Sequence, residues 1–400
     1  MRTQFKGHFT ETEEKIDELW KKATFVFDSN VLLDLYRYSE RSQNDLLKLL
    51  VDIKKRVWLP EQVAHEYLNI RASVICAQVT KYSDAEKMLK EIENSFSSAK
   101  AHPYVSDINS IELNRLLLKI QKEVAENRDK QEQILTDDPI KKKIEDIFHT
   151  RVGISFTEDE LANVIADGET RNNDKIPPGY KDNKKGSDST IPKDKRRRVA
   201  DFILWRQTMD WATKEKKDIV FVTGDMKEDW WLIESGKTIS ARPELIAEFC
   251  EVTGRSIIFY KPERFIGLAK EKLGLKVTDD TISEIDAQAT KNRERHNRMR
   301  ERHNRMIVEE KKNIQNAAQK LMEIREATIA REKSFRKFGT RLSGRDDIDF
   351  ENELYDSDRS SRYTRRHLEA VERNEIDSPN QEMDRLSDLE LWKKENDFYD

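Results

Sequence analysis

Four short apolar runs set the frame of this chain. Thr24-Phe25-Val26-Phe27 and Val57-Trp58-Leu59 are β-branched and aromatic. Each gives way to apolar residues at helical spacing, VLLDLYRY after Ser29-Asn30 and VAHEYLNIRASVICAQ after Pro60. Asp218 to Thr223 and Ser256 to Tyr260 repeat the pattern later on. Apolar runs this short, without polar alternation, predict strands buried on both faces, and their alternation with helices predicts a parallel sheet covered on both sides. Pro60 heads the second helix, and Thr157 with Glu160 forms a capping box that opens another, expected to end near Gly168. Between the second and third strands lie about 150 residues, many of them amphipathic like IELNRLLLKIQKEVAENRDKQEQIL, which predicts a helical insertion.

After Phe265 the apolar periodicity fades. The heptad Arg293 to Met299 is repeated residue for residue at Arg300 to Met306, and each copy supplies one apolar residue, Met299 and Met306. We expect an α/β domain over residues 1–275, with the insertion and a basic loop at about 75–198. A long charged helix over 276–342 and a charged, disordered tail over 343–400 should follow.

Composition fits this division: 36% hydrophobic and 38% charged residues supply one good core and leave the rest solvated. The formal net charge of -4 carries no global basic signature, so a nucleic-acid contact must come from a local patch. Residues 169–198 provide one, with ten Lys or Arg against five Asp or Glu. Tyr180, Lys181, Lys184, Lys185, Lys195, Arg196, Arg197 and Arg198 are its candidate phosphate contacts. Cys76 and Cys250 have no CxxC partner and read as buried free thiols. No apolar run approaches the roughly 20 residues of a membrane span, so a soluble, cytoplasmic protein without a membrane partner is expected.

Asp28 and Asp225 directly follow apolar strands, Glu66 lies early in the next helix, and Asp201 opens the helix DFILWRQTMDWA. In a parallel sheet those junctions share one edge, where carboxylates distant in sequence converge and hard divalent cations neutralise their repulsion. Asn30 and Asp229 are auxiliary candidates. Taken singly, Asp28 and Asp225 are ordinary turn residues, Asp201 a helix cap and Glu66 a solvated helix position; two carboxylates after strands and a third behind a basic loop point to a site. Trp205, Trp230 and Trp231 read as core. His65-Glu66-Tyr67-Leu68-Asn69 lacks the second histidine of a zinc helix, and Asn30 stands where a haloacid-dehalogenase-like phosphatase needs a second acid.

The strings FVFDSNVLLDLYRY, LPEQVAHEYLNIR, PPGYKDNKK, ADFILWRQ, VFVTGDMKEDWW and SARPELIAEF, in that order, resemble the PIN-like domain family in the branch with a long helical insertion. The resemblance runs from about Thr24 to Leu273. It implies a three-layer α/β/α fold with a central parallel sheet, and a Mg²⁺- or Mn²⁺-dependent ribonuclease or endonuclease that leaves a 5′-phosphate and a 3′-hydroxyl through a metal-activated water. Asp28, Glu66, Asp201 and Asp225 match the catalytic, metal-holding positions, with Asp229 beside them as a metal position; Asn30 and Thr223 match supporting ones. Relatives carry Gly before the third acid, where this chain has Ala200. The expected substrate is RNA ahead of DNA. The alternative is a catalytically inactive scaffold that binds a protein or nucleic acid through its charged C-terminal region, or self-associates through the helix carrying Met299 and Met306.

Overall fold

Each apolar run becomes a strand because its neighbours bury it from both sides. In the computed structural model, which describes residues 1–2, 4–9, 11–97, 105–182 and 191–339, the chain opens with α1 (Glu13–Lys22), capped by Thr12, and enters β1 (Thr24–Phe27). The short α2 (Ser29–Leu33) and α3 (Glu40–Asp52) lead to β2 (Val57–Trp58). The insertion follows as α4 (Glu61–Ser97), α5 (Asp107–Gln133), α6 (Pro139–Phe148), α7 (Glu158–Asn173) and α8 (Pro192–Arg198). The core resumes with α9 (Ala200–Glu215) and β3 (Ile219–Val222), then the hairpin β4 (Trp231–Glu234) and β5 (Lys237–Ala241), α10 (Pro243–Thr253), β6 (Ile257–Tyr260) and α11 (Pro262–Leu273).

The central sheet has the order β2-β1-β3-β6 and is parallel throughout. Phe27 pairs with Val222 and Val222 with Tyr260, so three strands end in step. That register places the residues following them, Asp28 and Thr223 among them, along one edge. All residues of β1 and β3 are buried, as strands between two helical layers must be. Trp205, Trp230 and Trp231 lie in the core, as their sequence setting predicts.

In the insertion, α4 and α5 run antiparallel, joined by Arg128 to Glu86 at 2.7 Å and Gln121 to Glu93 at 2.9 Å. The capping box of Thr157 and Glu160 is present, but α7 passes through Gly168 and continues to Asn173. Gly168 is there for close packing: a Cβ on it would meet the Val199 side chain at 2.8 Å. The basic segment expected as a loop is also partly helical, since residues 169–173 complete α7 and Pro192–Arg198 form α8. Both cysteines are free thiols but half-buried rather than buried.

A first compact unit reaches Glu294, and α12 (Asp279–Gly339) begins within it, with Thr281 and Ile285 buried and Glu284 accepting hydrogen bonds from Ser39. From Arg295 onward a second unit contains the rest of α12, with Met306, Val308, Met322 and Ile324 exposed. The tail expected at 343–400 lies outside the described residues. No described helix is long and apolar enough to cross a membrane.

Candidate active site

Asp28 directly follows β1 and caps α2, and both oxygens of its carboxyl are engaged. The backbone N–H of Ser29 donates to Oδ1 at 2.6 Å; the Asn30 amide donates to Oδ2 at 2.6 Å, as does the Thr223 hydroxyl at 2.7 Å. Glu66, one turn into α4, is held by the Ser29 hydroxyl at 2.7 Å and the Gln62 amide at 2.8 Å. Thr223 links the ends of β1 and β3, because its hydroxyl also accepts the backbone N–H of Asp225 at 3.0 Å. The backbone N–H of Lys227 in turn donates to Asp225 Oδ1 at 2.8 Å. Asn30 and Thr223 therefore both hold the Asp28 carboxyl, and Thr223 also holds the backbone at Asp225.

Asp201 opens α9 and receives the Trp230 indole N–H on Oδ2 at 3.4 Å. The turn before it is tailored to this approach: Gly179 has φ +96° and a Cβ there would stand 3.2 Å from the Asp201 Cβ. Asp229 is fully buried and its Oδ2 fixes that turn, accepting from the backbone N–H groups of Gly179 and Lys181, both at 3.2 Å. Its Oδ1 is buried without a hydrogen-bond partner among the described residues.

Two charged residues that the sequence reading did not single out complete the cluster. Lys227 Nζ lies 2.9 Å from Asp182, 3.1 Å from Asp225 and 3.8 Å from Asp201. The signal was available for both: a lysine inside the acid-rich Asp225-Met226-Lys227-Glu228-Asp229, and an aspartate closing Gly179-Tyr180-Lys181-Asp182, where attention fell on Tyr180 and Lys181.

The electrostatics are those of crowded, water-poor carboxylates. Burial, then the neighbouring charges of Glu66 and Asp225, push Asp28 up from 3.8 to about 6 against the hydrogen bonds of Thr223 and Ser29. Burial raises Asp201 well above the usual range, Lys227 opposing and Asp182, Asp225 and Asp229 reinforcing it; Asp229 is raised mainly by burial. Burial alone would lower Lys227, but Asp225, Asp201, Asp182 and Asp229 together hold its ammonium well above the ordinary lysine value.

The Asp28 shift has a sign in stability. A carboxyl that binds its proton more tightly folded than unfolded favours the folded state while protonated. That advantage fades as pH rises from the unfolded value of 3.8 through about 6, by on the order of 3 kcal/mol. Thermal melts in EDTA should therefore show stability falling between about pH 4 and pH 6, and an Asp28→Asn variant should show a smaller fall. Equal falls in the two proteins would contradict this assignment.

Of the basic candidates, Arg196 is engaged by Glu61 at 2.8 Å and by Gln62 at 2.8 Å, and the buried Arg198 by Glu169 at 2.7 Å. Lys181 pairs with Glu228 at 2.5 Å, and the Tyr180 hydroxyl accepts from Arg242 at 2.8 Å. Lys195 is half-buried, Arg197 is exposed, and Lys184 and Lys185 lie outside the described residues.

Compared with known families, the chain matches the model described as PIN like domain over residues 24–245. The chain belongs to the PIN-like domain family. PIN-like domains are a superfamily of nucleases that generally bind nucleic acid, and PIN-fold nucleases generally use Mg²⁺ or Mn²⁺. No curated protein and no solved structure matches the chain.

Whether this PIN-like domain suits such an ion is tested by its donors. Among the described residues, no three acidic, histidine or cysteine side chains stand in an arrangement ready to hold a metal ion. The donor chemistry fits nevertheless. Asp28, Glu66, Asp182, Asp201, Asp225 and Asp229 offer hard oxygens, one of them buried without a partner, against the single ammonium of Lys227.

Proposed function

We propose that this PIN-like domain is a divalent-metal-dependent nuclease that hydrolyses phosphodiester bonds, in RNA ahead of DNA. The observation that carries this reading is the excess of buried carboxylate at the carboxyl edge of the parallel sheet, where Asp28 is pushed up to about 6 by burial and by Glu66 and Asp225. Charge crowded in this way is costly in a folded protein unless a ligand exploits it.

Asp28, Glu66, Asp201 and Asp225 would hold Mg²⁺ or Mn²⁺, with Asp182 and Asp229 beside them. When bound, such an ion neutralises the acids, activates a water and stabilises the leaving oxygen. The chain supplies the rest. Ser29 and Gln62 aim Glu66, Asn30 and Thr223 aim Asp28, the Lys227 N–H aims Asp225, and the Trp230 indole steadies Asp201. These groups lock the carboxylates in position before substrate arrives, so little reorganisation is needed during the reaction. Lys195 and Arg197 on α8, just ahead of Asp201, are the basic residues we assign to the substrate backbone. Compartment and partners follow the same reading: a cytoplasmic enzyme, with a protein partner or second copy on the exposed apolar residues of the helix beyond Arg295.

The test is the chemistry of the product ends. End-labelled single-stranded RNA and DNA of one sequence, incubated with Mn²⁺, should yield fragments with 5′-phosphate and 3′-hydroxyl ends, RNA faster. Cyclic phosphate ends on RNA with DNA untouched would mean that the ribose hydroxyl, not water, attacks, and would overturn this mechanism.

A further inference from the structure

The ammonium of Lys227 occupies the place where a cation is wanted. It contacts Oδ2 of both Asp225 and Asp201, at 3.1 and 3.8 Å, and also Asp182 at 2.9 Å. Lys227 holds Asp225 by both ends of the residue: its backbone N–H donates to Oδ1 at 2.8 Å while Nζ lies 3.1 Å from Oδ2. An ammonium leaves water for such a mostly buried place only because several carboxylates replace its hydration. The same contacts explain why acids that share one edge of the sheet form no ready-made metal cage.

A Mg²⁺ bound to Asp225 Oδ2 would sit about 2.1 Å from that oxygen. It would then lie within about 5 Å of Nζ, where like charges repel strongly in a water-poor site. Lysine carries its charge on a flexible four-carbon stem, and the Lys227 side chain is 24% exposed, so a route outward exists.

We propose that Lys227 is a built-in counter-ion of this site: its ammonium and a divalent cation compete for Asp225 and Asp201, and cation binding releases Nζ toward the solvent side, where it can meet a substrate phosphate. This rests on the metal-dependent reading above. Lys227 is thus a positioning residue that keeps the acids together without metal and gives way when metal arrives.

Two measurements on the full chain test this. In calorimetric titration with Mn²⁺, Lys227→Met should bind about tenfold tighter than wild type, because the competing charge is gone. In wild type, acylation of Lys227 by an amine-reactive reagent, followed by mass spectrometry, should speed up several-fold when Mn²⁺ is added. A lysine that merely braces the fold would give the opposite result in the first case and no change in the second. Equal or weaker Mn²⁺ binding by a folded Lys227→Met would overturn the proposal while leaving the nuclease reading intact. Should that variant not fold, wild-type labelling decides alone: a rate unchanged by bound Mn²⁺ overturns it. Absence of Mn²⁺ binding by wild type and variant alike would overturn both this proposal and the function on which it rests.

Discussion

Asp28→Asn is expected to cut cleavage of labelled RNA by more than about 100-fold while the protein stays folded. Both oxygens of Asp28 accept hydrogen bonds, from Ser29 on one side and from Asn30 and Thr223 on the other. An amide there offers one acceptor and turns an N–H₂ against a donor, and it removes the charge a cation needs. The loss should appear in single-turnover rates with Mn²⁺ present, with circular dichroism showing the wild-type fold. Asp52→Asn, at an exposed carboxylate near the end of α3, should leave the rate unchanged. Wild-type rates in Asp28→Asn would remove Asp28 from the reaction.

Trp230→Ala carries the largest expected cost in stability. The ring is fully buried, stacked on Phe221 at 5.2 Å and 15°, and meets Trp205 edge-on at 6.3 Å. Emptying such a place removes transfer energy and leaves a cavity, about 3–5 kcal/mol in all. For a unit of this size that lowers the melting temperature by roughly 10 °C. Trp230→Phe separates the two duties of the residue. It should recover much of the packing but lose the N–H to Asp201 Oδ2, so cleavage should remain impaired after stability returns. A Phe variant restored in both respects would show that the indole N–H does not matter to the site.

Particular residues show why the architecture could be read from the chain and parts of the site could not. The four strands announced themselves because a strand buried on both faces must be apolar throughout, as Phe25, Val26 and Phe27 are. The strand-end positions of Asp28 and Asp225 were legible for the same reason, each being the first carboxylate after such a run. The hairpin of β4 and β5 went unread although Ser235-Gly236 separates WLIE from KTISA. Its one apolar run, Trp231-Leu232-Ile233, is short and follows an acid-rich stretch, and β5 is mostly polar and exposed. Gly168 looked like a helix end because glycine commonly caps helices, yet here it answers a packing demand from Val199, a residue distant in sequence. The signal for Lys227 and Asp182 is weak for a like reason: in the sequence each is one charge among many, and only the fold brings them within 2.9 Å of one another beside Asp225. Arg196 and Arg198 show what a basic run does not reveal, namely which of its charges already have acidic partners in the fold. A basic run suggests an open phosphate track, whereas these two arginines are paired with Glu61 and Glu169 and tie α8 to its neighbours.

A carboxylate cluster that cuts with a divalent cation is tested most directly by cleavage of labelled RNA by the full chain titrated with Mn²⁺, then reversed with EDTA, beside Asp225→Asn. Cutting should rise with Mn²⁺, stop with EDTA, and be lost or shifted to much higher Mn²⁺ in the variant. Cutting that persists in EDTA, or an Asp225→Asn protein as active as wild type at every Mn²⁺ concentration, would contradict metal-dependent cutting by this cluster.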